Sequence, residues 1–265
     1  MKRRNFVKKA AAASMAGLSV ASLSAADPQK KQKGNVYHEL RVYHVNYGRS
    51  QKTLTDYFKD ALIPALNRLG VKAVGVFTEM NGPQPTKIYL LITYPELKDF
   101  IGLADALVAD SVYQAAWAPY LQVGSDKSLF SRYESNLMYA FDSAPDLEVP
   151  PSAKTKGPRI FELRTYQSHN EDAHRRKVAM FDKGETALFR KVKMNPVFFG
   201  KTLIGDNMPN LTYMLTFKDM AERDANWNDF IVSEEWNTMK NLPEYADTVS
   251  NIIRTFLVPM DISQV

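Results

Sequence analysis

The order of apolar and polar residues divides most of the chain into alternating and helical segments. Residues 36–45 alternate and are rich in β-formers, which indicates a strand. Apolar residues recur at helical spacing from 50 to 69, which indicates an amphipathic helix that Gly70 ends. Further along, the pattern predicts strands at 71–78 and 87–94, a helical region at 97–121 and a strand at 136–141. The predicted order is therefore β-α-β-β-α-β.

The second half of the chain repeats this order. The motif Glu39-Leu40-Arg41-Val42-Tyr43 matches Glu162-Leu163-Arg164-Thr165-Tyr166 at an offset of 123 residues (39 to 162), and 88–94 match 211–217 at the same offset. A third block, which includes Trp117 and Trp236, matches at an offset of 119 (117 to 236). Three blocks in the same order indicate a duplication. The second copy predicts elements at 159–168, 172–192, 194–204, 210–217, 219–240 and 250–260.

The duplication predicts a two-domain architecture. A stretch rich in proline, serine and lysine at 142–157 is typical of a linker, and it separates domains predicted at 35–141 and 158–262. Two helices cover only one face of a four-stranded sheet, and both faces of the strand at 87–94 are too apolar for open water. The predicted fold class is α+β: two tandem ferredoxin-like (βαββαβ) domains paired sheet to sheet as an α+β barrel, with the helices outside.

Residues 1–26 have the pattern of a cleaved export signal. A basic start is followed by a short apolar run at 10–21 and by small residues at 24–26. The pattern Arg-Arg-x-Phe-x-Lys at residues 3–8 resembles a twin-arginine signal, and an ordinary secretory signal with two arginines is the alternative. We expect a bacterial protein exported to the periplasm or the medium, with a flexible leader at 27–34 and no stable membrane insertion after cleavage.

Composition excludes several function classes. The chain has 34 basic and 29 acidic residues, and five of the basic residues lie in the predicted signal, so 29 of each sign remain. That balance gives no reason to expect a nucleic-acid partner. The absence of cysteine excludes disulfides, thiolate zinc sites and cysteine nucleophiles. No histidine pair has metal-ligand spacing, and no phosphate-binding or serine-hydrolase motif is present, so we predict no metal site.

The paired Glu-Leu-Arg-x-Tyr strands, the late tryptophan of each second helical region and the tandem arrangement resemble NIPSNAP-domain proteins of the dimeric α+β barrel superfamily. The resemblance implies a ferredoxin-like fold and barrel pairing. Its superfamily includes cofactor-independent monooxygenases, isomerases, haem enzymes and stress-response proteins, so the fold does not select an activity. We predict no cofactor; haem is an alternative that only the superfamily analogy supports.

The candidate ligand site is a set of charged and phenolic residues that share one face of each opening strand: Glu39, Arg41, Tyr43, Glu162, Arg164 and Tyr166. If Leu40 and Val42 face the helices, alternation directs this set into the barrel. A buried carboxylate can act as a base, a guanidinium can hold an anion, and a phenol can donate a proton. A structural ion pair beside a packed tyrosine is the alternative.

The histidines rank below this set. His44 and His169 lie near corresponding strand ends and are secondary candidates, whereas His38 is expected to be a packed core residue on the helix-facing side. No catalytic residue is assigned.

Two function classes follow from these observations. The first is a protein that binds a small, partly apolar molecule between the two sheets. The alternative is a cofactor-independent oxygenase or isomerase that uses the Glu-Arg-Tyr strand face. A small-molecule ligand and a second copy of the chain are the partner classes that remain open.

Overall fold

The computed structural model describes residues 34–48 and 51–265, and residues 34–265 form one compact unit. The predicted export signal at 1–26 and the predicted leader as far as residue 33 lie outside the described residues. Within the described ranges, no helix combines the length and the apolar character that crossing a bilayer requires.

Eight antiparallel strands form a closed barrel in the order β1-β3-β2-β8-β5-β7-β6-β4. In chain order they are β1 (Tyr37–Val45), β2 (Val74–Glu79), β3 (Lys87–Tyr94), β4 (Phe130–Ala140), β5 (Ile160–Gln167), β6 (Asn195–Ile204), β7 (Asn210–Phe217) and β8 (Asn251–Pro259). Hydrogen bonds join β2 to β8 and β6 to β4, so the two halves meet edge to edge as well as across the interior. The predicted α+β barrel is confirmed. Because the sheet is continuous across both seams, the division into two ferredoxin-like domains stays an interpretation.

Helices cover the outside of the barrel. They are α1 (Lys52–Tyr57), α2 (Ile63–Arg68), α3 (Leu97–Ile101), α4 (Leu103–Ala109), α5 (Ser111–Ala116), α6 (Ala118–Leu121), α7 (Pro151–Thr155), α8 (Glu171–Met180), α9 (Thr186–Lys191), α10 (Met220–Val232) and α11 (Glu234–Met239). One turn of π-helix, Phe58–Leu62, connects α1 to α2, and a second, Phe181–Glu185, connects α8 to α9 at the equivalent place. A π-helical turn adds one residue and rotates the side chains that follow it.

The barrel interior is filled with apolar side chains. This interior core includes Leu40, Val42, Phe77, Leu91, Met138, Phe161, Leu163, Phe198 and Met214. An eight-stranded barrel is just wide enough for side chains to fill it, so this region excludes water. Two further cores lie between the barrel and the helices, one for each repeat.

Two segments differ from the sequence-based prediction. Strand β4 begins at Phe130 instead of residue 136. The prediction missed its first residues because they are exposed on both faces and show no alternation of apolar and polar side chains. The predicted linker contains α7, and the Glu148 amide donates a hydrogen bond to the Val197 carbonyl at 2.9 Å. The segment between the repeats is therefore attached to the barrel.

Candidate functional site

The Glu-Arg-Tyr motifs face the helices, and the prediction that they point into the barrel is wrong. The Tyr43 ring packs against Phe58 of the first π-helical turn, with ring centroids 5.2 Å apart. The Trp227 indole of α10 donates a hydrogen bond to the Glu162 carboxylate at 2.7 Å. The predicted residues Glu39, Arg41, Tyr43, Glu162, Arg164 and Tyr166 thus lie in the layer between sheet and helices.

The physical reason is that the barrel interior offers charged groups few polar partners. Alternation correctly separates Glu39 and Arg41 from Leu40 and Val42, but it does not say which set faces inward. The interior core is mostly apolar, whereas the layer outside it supplies donors to both carboxylates. Glu162 accepts from the Arg223 guanidinium and the Trp227 indole of α10, and Glu39 accepts from hydroxyl groups of neighbouring strands. A buried charge needs such partners, so the apolar set takes the interior.

In the first repeat, Glu39 is buried and accepts hydrogen bonds from three side chains. Arg41 donates through Nε at 2.5 Å and Nη2 at 3.0 Å, and the hydroxyls of Tyr94 and Ser135 each donate at 2.7 Å. Burial alone would lower the pKa of Arg41, but Glu39 outweighs it and the pKa is raised. Burial also raises the pKa of Tyr43 to about 12, although Arg41 opposes the change. Neither group titrates near neutral pH.

In the second repeat, the equivalent carboxylate is surrounded by cations. Glu162 is fully buried and accepts hydrogen bonds from Arg164, from two nitrogens of Arg223 at 2.9 Å, and from Trp227. The Arg164 guanidinium stacks 3.7 Å above the Trp227 ring centroid. Burial alone would raise the pKa of Glu162, but the bonds from Arg223 and the charge of Arg164 hold it below its usual value. Glu162 is an ionised, fully paired group.

A buried Lys177–Glu185 ion pair lies in the same layer and was missed by the sequence analysis. Lys177 Nζ donates to Glu185 Oε2 at 2.6 Å, and both side chains are at most 5% exposed. Burial raises the pKa of Glu185, and Lys177 opposes that rise. The equivalent positions in the first repeat, 123 residues earlier, are Leu54 and Leu62. Comparing the repeats at core positions would have identified the pair.

The histidines occupy three different environments. His38 lies inside the barrel against Phe198, at 5.1 Å between ring centroids, so it is packed as predicted but on the opposite face. Burial lowers the pKa of His38 to about 3, which the charge of Asp146 opposes in part. His44 lies at one end of the barrel, where its Nε2 is 2.8 Å from Glu134 Oε1. His169 is exposed in the loop after β5.

The barrel is open at the end where β4 and β8 begin. Pairing between β4 and β6 starts only at Leu137, and the ladder between β8 and β2 is confined to Leu257–Pro259. A pocket of about 440 Å3 lies between the two halves at this end, and we call it the mouth pocket. Its lining includes Leu40, Glu134, Asn136, Asp206, Thr212 and Ile253.

Some polar groups of the mouth pocket form hydrogen bonds within the protein, and others have no partner there. The Asn136 side-chain oxygen accepts a hydrogen bond from the Asp206 amide at 2.8 Å, and the hydroxyls of Thr165 and Thr212 are 2.9 Å apart. Among the described residues, neither the Asn136 amide nitrogen nor the Asp206 carboxylate has a hydrogen-bond partner, so both are available to a ligand.

A larger cavity of about 630 Å3 lies outside the barrel beside the segment that joins the repeats. Much of its wall is formed by prolines, among them Pro150 and Pro196, and its Arg190 is paired with Glu148. No cluster of metal-ligating side chains occurs in the described part of the chain. The mouth pocket is therefore the better candidate for a ligand.

Comparison with known proteins gives a family and a fold. The NIPSNAP family model matches residues 38–145 and 161–264, together about four fifths of the chain, which confirms the tandem repeat. A candidate monooxygenase from Lactobacillus acidophilus NCFM has a similar structure, with a TM-score of 0.57 at 8% identity over 85% of this chain and 94% of that one.

Two further solved structures are similar. A candidate monooxygenase from Fusobacterium nucleatum has a TM-score of 0.51 at 10% identity, over 85% of this chain and 93% of that one. A NIPSNAP-like domain protein from Burkholderia xenovorans has a TM-score of 0.37 at 20% identity, over 40% of this chain and 88% of that one. No curated protein matches the sequence. At these identities the likeness concerns the fold.

Proposed function

This chain belongs to the NIPSNAP family, and from that premise we propose that it is a binding protein whose small-molecule ligand occupies the mouth pocket. The observation that carries the proposal is the opening of the barrel where β4 and β8 lack a second neighbour, which leaves about 440 Å3 between the two halves. Cavities of this size and shape accommodate small ligands. The tandem repeat supplies both walls from one chain.

The lining favours a small organic cation that also carries hydroxyl groups and a short apolar part. Glu134 and Asp206 are the charged side chains of the lining, which includes no lysine or arginine among the described residues. Thr165, Thr212 and Asn136 offer hydroxyl and amide groups. Leu40 and Ile253, from opposite halves of the barrel, provide apolar contact. An amino alcohol combines these three features.

We expect amino alcohols to stabilise the protein against heat, whereas simple carboxylates do not. The probes are ethanolamine and choline, with glycerol and acetate as comparisons, measured by differential scanning calorimetry. At about 100 times the dissociation constant, a ligand of the folded state adds about 2.7 kcal/mol of stability. Asp206→Asn removes one carboxylate of the pocket and should weaken binding by about tenfold.

The matched control is Asp229→Asn, which makes the same change on an exposed position of α10 and should leave binding unaltered. Equal stabilisation by acetate, or equal binding by the two asparagine variants, contradicts a cation-selective mouth pocket.

A cofactor-independent oxygenase or isomerase is the alternative, and the two candidate monooxygenases of similar fold favour it. Such an activity would use Glu39, Arg41 and Tyr43 in the first repeat, where Arg41 is 14% exposed. Glu39 would first have to exchange hydrogen bonds from Arg41, Tyr94 and Ser135 for contacts with a substrate. Binding at the mouth requires no such exchange, so we favour it.

We also propose that the protein is exported by the twin-arginine route, since Arg3 and Arg4 stand in the required pattern. Replacing both arginines by lysine keeps the positive charge and should abolish export, which immunoblots of periplasmic and cytoplasmic fractions measure. Replacing Lys9, which follows the pattern, by arginine is the control and should leave export intact. Normal export of the Arg3→Lys/Arg4→Lys variant would instead indicate an ordinary secretory signal.

A further inference from the structure

The open end of the barrel exposes the free edge of β4. Residues 130–136 pair with β1 on one side, whereas the ladder to β6 on the other side begins only at Leu137. The Tyr133 side chain is 49% exposed and Glu134 is 48% exposed. An unpaired strand edge presents backbone donors and acceptors that can bind another strand.

Symmetry restricts how two copies of this edge can pair. An antiparallel pair related by a two-fold axis perpendicular to the sheet must place one residue opposite itself. Any other register would put a side chain of one face opposite a side chain of the other face, which pleated strands do not allow. The axis therefore passes beside a single residue. Only residue 132, 133 or 134 at this place leaves at least five residues of the free segment 130–136 paired.

The charges select one of these three registers. Centring on Arg132 or on Glu134 would place like charges directly opposite each other, which is destabilising. Centring on Tyr133 places each Arg132 opposite Glu134 of the second copy, twice in the pair. It also places the two Tyr133 rings side by side on the helix-facing side, where each already stacks on Tyr43 at 5.1 Å between ring centroids.

The side chains are free to make these contacts. Arg132 is exposed and donates to the Ser131 carbonyl, and it has no carboxylate partner among the described residues. Glu134 bonds to His44 through Oε1, which leaves Oε2 for a guanidinium. A charged pair at the rim of a contact mainly fixes register and excludes other partners.

The equivalent edge on β8 lacks this complementarity. Its exposed residues 251–254 contain one charged side chain, Arg254, and no acid. Arg254 also lies 3.8 Å from the buried Glu162 carboxylate of its own chain. Self-pairing through β8 would have no charge contact to define its register.

We propose that the free edge of β4 is a self-association surface, where two copies of the chain pair antiparallel about Tyr133 and Arg132 of each copy contacts Glu134 of the other. The ribbon is short, so the dimer dissociates on dilution. The pairing needs no ligand in the mouth pocket, although it shares Glu134 with the lining of that pocket.

A charge-swap experiment tests the register directly. Sedimentation velocity over a dilution series compares the full-length protein with Arg132→Glu, Glu134→Arg and the double variant Arg132→Glu/Glu134→Arg. Each single change creates two like-charge contacts and should weaken the dimer by at least about tenfold. The double variant restores opposite charges and should return the dissociation constant to within about threefold of the unaltered protein.

Asp229→Lys, a charge reversal on an exposed position of α10, is the control and should leave the dimer unchanged. Circular dichroism melting verifies that every variant is folded. A protein that stays monomeric at all concentrations overturns the proposal. So does a dimer that none of the single changes weakens, or a double variant that remains as weak as either single one.

Discussion

Replacing Glu162 by glutamine is expected to lower the free energy of unfolding by about 3–5 kcal/mol, because it leaves the buried Arg164 without an anion and removes one of the two carboxylates that pair with Arg223. Glu162 is the common acceptor of Arg164, Arg223 and Trp227, and its side chain is fully buried. Glutamine keeps the shape of the side chain, so the loss reports charge pairing rather than a cavity. Urea denaturation at pH 7 measures it.

Glu39→Gln is the matched variant in the first repeat, and we expect a smaller loss of about 1–2 kcal/mol. Two of the three donors to Glu39 are hydroxyls, which can rotate toward the amide oxygen of glutamine. Arg41 is 14% exposed and can recover some hydration. Equal losses for the two variants would mean that the extra cation and the indole around Glu162 contribute nothing.

The Glu162 prediction has a defined pH dependence. The pKa of this carboxylate is lower in the folded than in the unfolded protein. Its contribution to stability is therefore complete above the unfolded-state pKa, which is about 4.3, and is lost as the pH falls through the folded-state value. The difference in stability between the unaltered protein and Glu162→Gln should accordingly be constant near neutral pH and shrink on acidification.

The barrel could be predicted from the sequence, but which face of each strand points into the barrel could not. The repeated Glu-Leu-Arg-x-Tyr motif and the apolar character of both faces of β3 led to a closed, tandem structure. Alternation in β1 showed that Glu39 and Leu40 lie on opposite faces of the strand. Which face points into the barrel depends on where the charged side chains find hydrogen-bond donors. Trp227 and Arg223, which supply them, lie more than sixty residues from Glu162 in the chain.

The mouth pocket could not be predicted from the sequence for a related reason. Its lining joins β1, β4, β5, β8 and the segment formed by β7 and the loop before it, and these five parts are distant from one another in the chain. The start of β4 at Phe130 was missed because Arg132, Tyr133 and Glu134 are all exposed, so one face is not more apolar than the other.

The Lys177–Glu185 pair was missed because both residues are charged, and it is brought together across a π-helical turn. In a regular α-helix, residues seven apart return to the same face after two turns. The extra residue of Phe181–Glu185 shifts that relation to eight, so Lys177 and Glu185 face the same buried space. Helical spacing marks apolar positions, as it does for the equivalent Leu54 and Leu62, so a lysine and a glutamate at these places were not recognised as buried.

Exchanging this ion pair for the leucines of the first repeat is expected to reveal a large coupling. Lys177→Leu alone leaves the Glu185 carboxyl buried without a cation, and Glu185→Leu alone leaves the ammonium group without an anion. Each should lower the free energy of unfolding by about 3–5 kcal/mol. The double variant Lys177→Leu/Glu185→Leu reproduces Leu54 and Leu62, which are fully buried in the first repeat. It should be within about 1–2 kcal/mol of the unaltered protein or more stable.

The same double-mutant cycle on the exposed pair of Lys191 and Glu235 is the control, and its coupling should be below about 1 kcal/mol because water screens both charges.

Stability measured over a pH series gives a second test of the buried pair. Burial already raises the pKa of Glu185, and removing Lys177, which opposes that rise, should raise it further. A folded-state pKa above the unfolded value means that folding favours the protonated carboxyl, so Lys177→Leu should lose stability as the pH increases from 5 to 8. A double variant as unstable as either single variant would show that the two repeats need different cores at this position.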